Sequence, residues 1–142
     1  MRVKLDEGAF KIERAYEYDA GYDIKTPVDV TVPAFSIIDG AGTAVIDTGV
    51  HVEIPRGCAG FLKSKSGLNV KNNLTGEGVI DCGYTGSIVV KLYNPCNTSH
   101  RFSRGDKLIQ LVIVKIDTPE IEYVDELDDT DRSSNGFGSS GR

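Results

Sequence analysis

The feature that most constrains this chain is its punctuation. Glycine and proline recur so densely that no window sustains a 3.6-residue apolar stripe capped at both ends. With 16 glycines and 5 prolines in 142 residues, helix is held to a turn or two, and short strands between turns remain. The apolar pattern predicts strands at 3–5, 28–32, 44–54, 60–63, 88–93, 108–116 and 121–124. Val50, Val52 and Ile54 alternate with His51 and Glu53, as in a strand with one face in the core and one in water. Strands this short and this numerous in one small domain point to an all-β fold, a sandwich, distorted jelly roll or barrel with at most one short helix.

The strand at 108–116 departs from the half-buried pattern. Leu108, Val112, Val114 and Ile116 fall on one face while Ile109, Leu111 and Ile113 fall on the other. A strand apolar on both faces needs two covers, and in a small sandwich the second is expected from another subunit. Gln110 interrupts this run, and its amide requires a partner, either neighbouring backbone or a ligand.

The formal net charge of −5 excludes the basic surface of a duplex binder but leaves room for a small polyanion held by a few local cations. Cys58, Cys82 and Cys96 are odd in number and widely spaced, which fits free thiols better than a disulfide framework or a zinc ribbon. No run is long enough to cross a bilayer, and the first residues carry no apolar signal core, so a cytoplasmic protein without membrane or nucleic-acid partners is expected. Two regions are expected: a folded body over 1–124, then an acidic linker and a flexible Gly/Ser-rich arm over 125–142.

Chemistry concentrates in a few groupings. Residues 78–86 read Gly-Val-Ile-Asp-Cys-Gly-Tyr-Thr-Gly, a hairpin-like turn presenting Asp81 and Tyr84 ahead of an alternating strand. Asp19 and Asp23 bracket a turn glycine. Lys63-Ser-Lys-Ser-Gly67 offers cations, hydroxyls and a glycine suited to phosphate oxygens, but lacks the glycine spacing of a Walker loop. The arm carries Phe137 between Gly136 and Gly138, with Ser139, Ser140, Arg132 and Arg142 nearby, the makings of a clamp for an aromatic base and its phosphates. His51 and His100 have no nucleophile at a recognisable spacing and read as structural or surface residues. The chemistry left is a water activated by a carboxylate, with Asp81 the best-placed base, attacking a phosphoryl group.

Five of these groupings, in order, resemble the all-β trimeric dUTPase family: Ala20-Gly-Tyr-Asp-Ile24, Ser66-Gly-Leu68, Gly78 to Gly86, Gly105-Asp-Lys-Leu-Ile-Gln-Leu111, and Arg132 with Gly136-Phe-Gly-Ser-Ser-Gly141. The resemblance implies a jelly-roll homotrimer with active sites shared among chains, cleaving dUTP to dUMP and pyrophosphate. It implies Asp81 as the residue that activates the water, and Tyr84 against the deoxyribose, excluding a 2′-hydroxyl. Backbone at Gly76 and Val79 would read uracil. Ser66, Gly67, Lys65 and Gln110 would hold phosphates, with Phe137, Arg132, Gly138, Ser139 and Ser140 closing over the site. Mg²⁺ would bind across the triphosphate, with Asp23 orienting its waters. Lys65 and Lys107 stand where the family usually has arginine, so a two-pronged contact becomes a point charge. Ser133-Ser134-Asn135 replaces a glycine-richer stretch, and Ser140 the usual threonine. The alternatives are a dCTP deaminase of the same fold, for which Glu77 is the nearest acid, and a nucleotide-binding regulatory protein without turnover.

Overall fold

The computed structural model describes residues 1–38, 40 and 42–130. Nine strands and one helix follow in the order β1 (Val3–Leu5), β2 (Gly21–Lys25), β3 (Val30–Val32), β4 (Gly42–Val52), β5 (Cys58–Ser64), α1 (Ser66–Asn72), β6 (Glu77–Ile80), β7 (Ser87–Asn94), β8 (His100–Phe102) and β9 (Lys107–Lys115). They form three antiparallel sheets of strand order β1-β4-β7, β2-β9-β5-β6 and β3-β8. This is the all-β class with one short helix that the punctuation dictates.

One apolar core is shared by all three sheets. Ile46, Val50 and Val52 of β4 and Ile88, Val90 and Leu92 of β7 enter it from one side, and Ile24, Leu62, Ile109 and Leu111 from the four-stranded sheet. The intervening residues of β7, Val89 and Tyr93, face outward at 48% and 42% exposure, so the expected alternation holds along that strand.

Two strands escape the pattern. β2 occupies a stretch read as a turn between Asp19 and Asp23, because Gly-Tyr-Asp-Ile-Lys has too few apolar residues to alternate; its partner β9 supplies what the local sequence lacks. β8, with His100 at its start, has one buried anchor, Phe102, and forms by pairing with β3. The predicted strand at 121–124 does not form. Ile121 and Tyr123 are 77% and 91% exposed, with no strand among the described residues paired with them.

The apparent hairpin at 78–94 is also corrected. β6 pairs with β5 at the edge of the four-stranded sheet, whereas β7 pairs with β4 in the other layer. The glycine-punctuated turn is therefore a corner that carries the chain from one sheet to the other. β9 lies in the middle of its sheet. Leu108, Ile109 and Leu111 are buried within this chain, but Val114 stays 41% and Ile116 39% exposed.

Candidate active site

Register builds the first half of the site. Asp23 faces Gln110, Gln110 faces Lys63, and Lys63 faces Glu77, so four polar side chains cross the four-stranded sheet in one row. Gln110 fits against β2 because its neighbour is Gly21, where a side-chain carbon would lie 2.5 Å from Gln110 Oε1. The row is strongly ionic. Lys63 Nζ donates to Glu77 Oε1 at 3.0 Å in an exposed pair. Asp23, only 4% exposed, takes Lys65 Nζ on Oδ1 and Lys107 Nζ on Oδ2, the latter at 2.6 Å.

Burial pushes the Asp23 carboxyl toward neutrality, but the two ammonium groups outweigh it and hold the acid below its usual range. Lys107 is raised in turn, chiefly by its hydrogen bond to Asp23. Two residues noted as replacements for arginine thus meet on one carboxylate within a single chain. Two compact ammonium groups fit a single buried carboxylate, one to each oxygen. Nothing in the linear sequence places positions 23, 65 and 107 together, and the grip of Lys107 on Asp23 was not anticipated.

Lys65 is also the N-cap of α1, in extended conformation and with no side-chain cap bond. Ser66 and Gly67 begin the helix, which ends at Asn73 in the left-handed conformation. Just before the helix, Ser64 Oγ accepts from Gly76 N at 2.9 Å and donates to Gly76 O at 3.1 Å. This link fixes the entry to β6. Ser64, grouped by its sequence with hydroxyls suited to phosphate, engages its hydroxyl with this backbone twelve residues away. Ser66, Asn69, Thr75, Gly76 and Tyr93 line an open groove of about 770 Å³.

The corner turn forms the second half. Tyr84 N donates to Asp81 O at 3.1 Å, and Gly83, two residues after Asp81, has φ +96°. A positive φ at the third turn position requires glycine, which explains the Asp-Cys-Gly-Tyr order. Tyr84, 45% exposed, donates its hydroxyl to Ser87 O at 2.9 Å, folding the ring back over the turn. Val79 is 57% exposed on the same approach. The Asp81 side chain is exposed, and among the described residues its carboxylate has no partner.

The two halves do not meet within the chain. Asp81 lies four residues along β6 from the Glu77 row, about 13 Å at the rise of a strand. Arg132, Phe137, Gly138, Ser139 and Ser140 lie outside the described residues.

A resident metal does not fit these side chains. Among the described residues no three His, Cys, Asp or Glu side chains are grouped as metal ligands. Asp23, expected to orient metal-bound water, has both oxygens engaged by lysines and its side chain 6% exposed.

Comparison with known proteins identifies the family. The dUTPase family model matches residues 9–141. The deoxyuridine 5′-triphosphate nucleotidohydrolase of Solanum lycopersicum is 39% identical over 139 residues, covering 97% of this chain and 79% of that protein. The dUTPase of Staphylococcus bacteriophage 80alpha, solved with dUPNHPP, superposes with a TM-score of 0.88 at 34% identity, covering 99% of this chain and 98% of that one. A mutant dUTPase from phage phi11 of S. aureus, described with a structural Mg(II) ion, superposes at 0.78 with 33% identity over 88% of this chain and 96% of that one. This chain belongs to the dUTPase family.

Proposed function

We propose that this chain hydrolyses dUTP to dUMP and pyrophosphate, limiting uracil incorporation into DNA and supplying dUMP. The observation that carries the reading is the corner turn, where an exposed carboxylate with no partner among the described residues sits on a backbone fixed by Gly83 and by the Tyr84 hydroxyl. In the proposed step Asp81 takes a proton from water as its oxygen bonds the α-phosphorus. The bridging P–O bond then breaks and pyrophosphate leaves with the electron pair. The Tyr84 ring packs against the deoxyribose and leaves no room for a 2′-hydroxyl, while backbone at Gly76 and Val79 reads the uracil edge. Ser66, Gly67 and Gln110 hold phosphate oxygens.

Mg²⁺ enters as part of the substrate, bound across the triphosphate, and neutralises phosphate charge there. Lys65, held by Asp23, adds a fixed positive charge beside the phosphates. The segment 125–142 acts as an arm, with Phe137 on the base and Arg132, Gly138, Ser139 and Ser140 on the phosphates.

The separation of the base from the phosphate row along β6 supports a homotrimer in which one chain's turn faces another chain's row. The outward Val114 and Ile116 of β9 suit a subunit contact. For a deaminase the acid in question is Glu77, but it is exposed and paired with Lys63 at 3.0 Å. Pyrophosphate and ammonia release from dUTP, UTP, dTTP and dCTP, with and without Mg²⁺, tests the reading. Fast pyrophosphate release from dUTP alone is expected. Equal turnover of UTP would refute the sugar gate, and ammonia from dCTP would replace the reading by the deaminase.

A further inference from the structure

His51 has no part in the chemistry above, yet it is tied to the turn that carries it. A bulge interrupts the β4–β7 ladder between Asp47 and His51, with Gly49 at φ +65°. Beyond the bulge His51 faces Ser87, the first residue of β7. The bulge re-aims the ring, as bulges beside functional sites commonly do. Its Nδ1 lies 2.8 Å from the carbonyl oxygen of Thr85, in the same corner turn as Asp81 and Tyr84. Its Nε2 lies 3.0 Å from Asp6 Oδ2, just after β1. The imidazole side chain is 18% exposed.

Both partners are pure acceptors, so both bonds exist together only when both ring nitrogens carry protons. We infer that His51, oriented by Asp6, is a positioning residue for the Asp81–Tyr84 turn, holding it through the Thr85 carbonyl in a proton-dependent way. The inference rests on the proposed role of Asp81 and Tyr84.

The hydrogen bonds to Asp6 and Thr85 raise the His51 pKa above its usual value. The other charged groups around the ring are Lys4 and Arg2 from β1, and Asp47 and Glu53 from β4 and just beyond it. Lys4 opposes protonation. It is itself paired with Asp6 at 3.2 Å, and Arg2 with Glu53, so the carboxylate of Asp6 sets the sign. When the proton leaves, the remaining N–H stays with the stronger acceptor, Asp6. The Nδ1 lone pair then faces the Thr85 oxygen and the hold on the turn is lost. Protonation here serves the turn rather than the reaction.

The test compares wild type, His51→Gln and Asp6→Asn in the full-length protein by two readouts. The first is NMR: the ring signals of His51 and the amide signals of Tyr84 to Gly86 are followed from pH 5 to 9. The amides are expected to shift together with the His51 ring in wild type, to shift at lower pH in Asp6→Asn, and to lose the transition in His51→Gln. The second is the pH profile of dUTP turnover, in which kcat is expected to fall about ten-fold as His51 deprotonates, the lower end of what one charge-assisted hydrogen bond is worth. His51→Gln should lack that limb at unchanged KM. Turn amides that ignore the His51 titration, or a turnover profile in His51→Gln identical to that of wild type, would overturn the inference. If wild type shows no dUTP turnover, the proposed function fails, while the NMR arm still decides whether His51 holds the turn.

Discussion

The polar row of the four-stranded sheet and the corner turn after β6 both offer aspartates, and they use them in opposite ways. Asp23 is nearly fully covered and shared between Lys65 and Lys107, so its charge is spent inside the protein. Asp81 is exposed and unpartnered among the described residues, so its charge is left for whatever arrives. A carboxylate bound to two ammonium groups is a poor base, because protonating it means giving up both attractions. A bare one on a rigid turn can accept a proton at no such loss. The difference fits structural work for the first and supports the chemistry proposed for the second, although both acids belong to motifs of one family.

The largest expected effect breaks the second member of the pair. Asp81→Asn should lower kcat for dUTP by on the order of 10²–10⁴, the usual worth of a positioned general base. Its melting temperature should stay near that of wild type, because among the described residues its carboxylate has no partner to lose. Pyrophosphate release and a thermal melt on one sample give both numbers. A fold that collapses, or a rate that holds, would erase the contrast.

Asp23→Asn should do the reverse. It leaves two ammonium groups facing a neutral amide; because their side chains keep 24% and 39% exposure and can be hydrated, the loss is about 1.5–3 kcal/mol, below that of a fully buried pair. Urea unfolding should therefore show a large loss of stability at pH 7. Substitution of Asp23 for stability alone, with turnover intact per folded molecule, would mark it as purely structural.

The smallest effect concerns acid. Because the Asp23 pKa is lowered in the folded state, its contribution is present above the unfolded value near 4 and is lost as pH falls through the folded one. Wild type should lose stability below about pH 4 more steeply than Asp23→Asn. Parallel acid curves would show that the lysines do not depress the acid.

How much of this was readable in the chain depended on distance along it. The Asp-Cys-Gly-Tyr turn is local: a glycine at the only position that needs positive φ, with β7 alternating behind it, so Asp81 and Tyr84 could be placed from the letters alone. The all-β class was readable for the same reason, since glycine and proline punctuation acts within a few residues. β2 and β8 were not, because each has too little apolar pattern to signal itself and forms by pairing with β9 or β3. The hairpin reading failed likewise: which sheet each arm of a turn joins is decided by strands elsewhere in the sequence.

The sequence by itself determined the strand-and-turn character, the alternating core residues, the residues of the corner turn and the order of five motifs. Tertiary structure alone decided that Lys65 and Lys107 converge on Asp23, that His51 reaches Thr85 across a bulge, and that the two arms of the corner turn join different sheets. Ion pairs and hydrogen bonds between residues 34 to 84 positions apart leave no periodicity to read. They exist only once antiparallel register has brought their strands side by side.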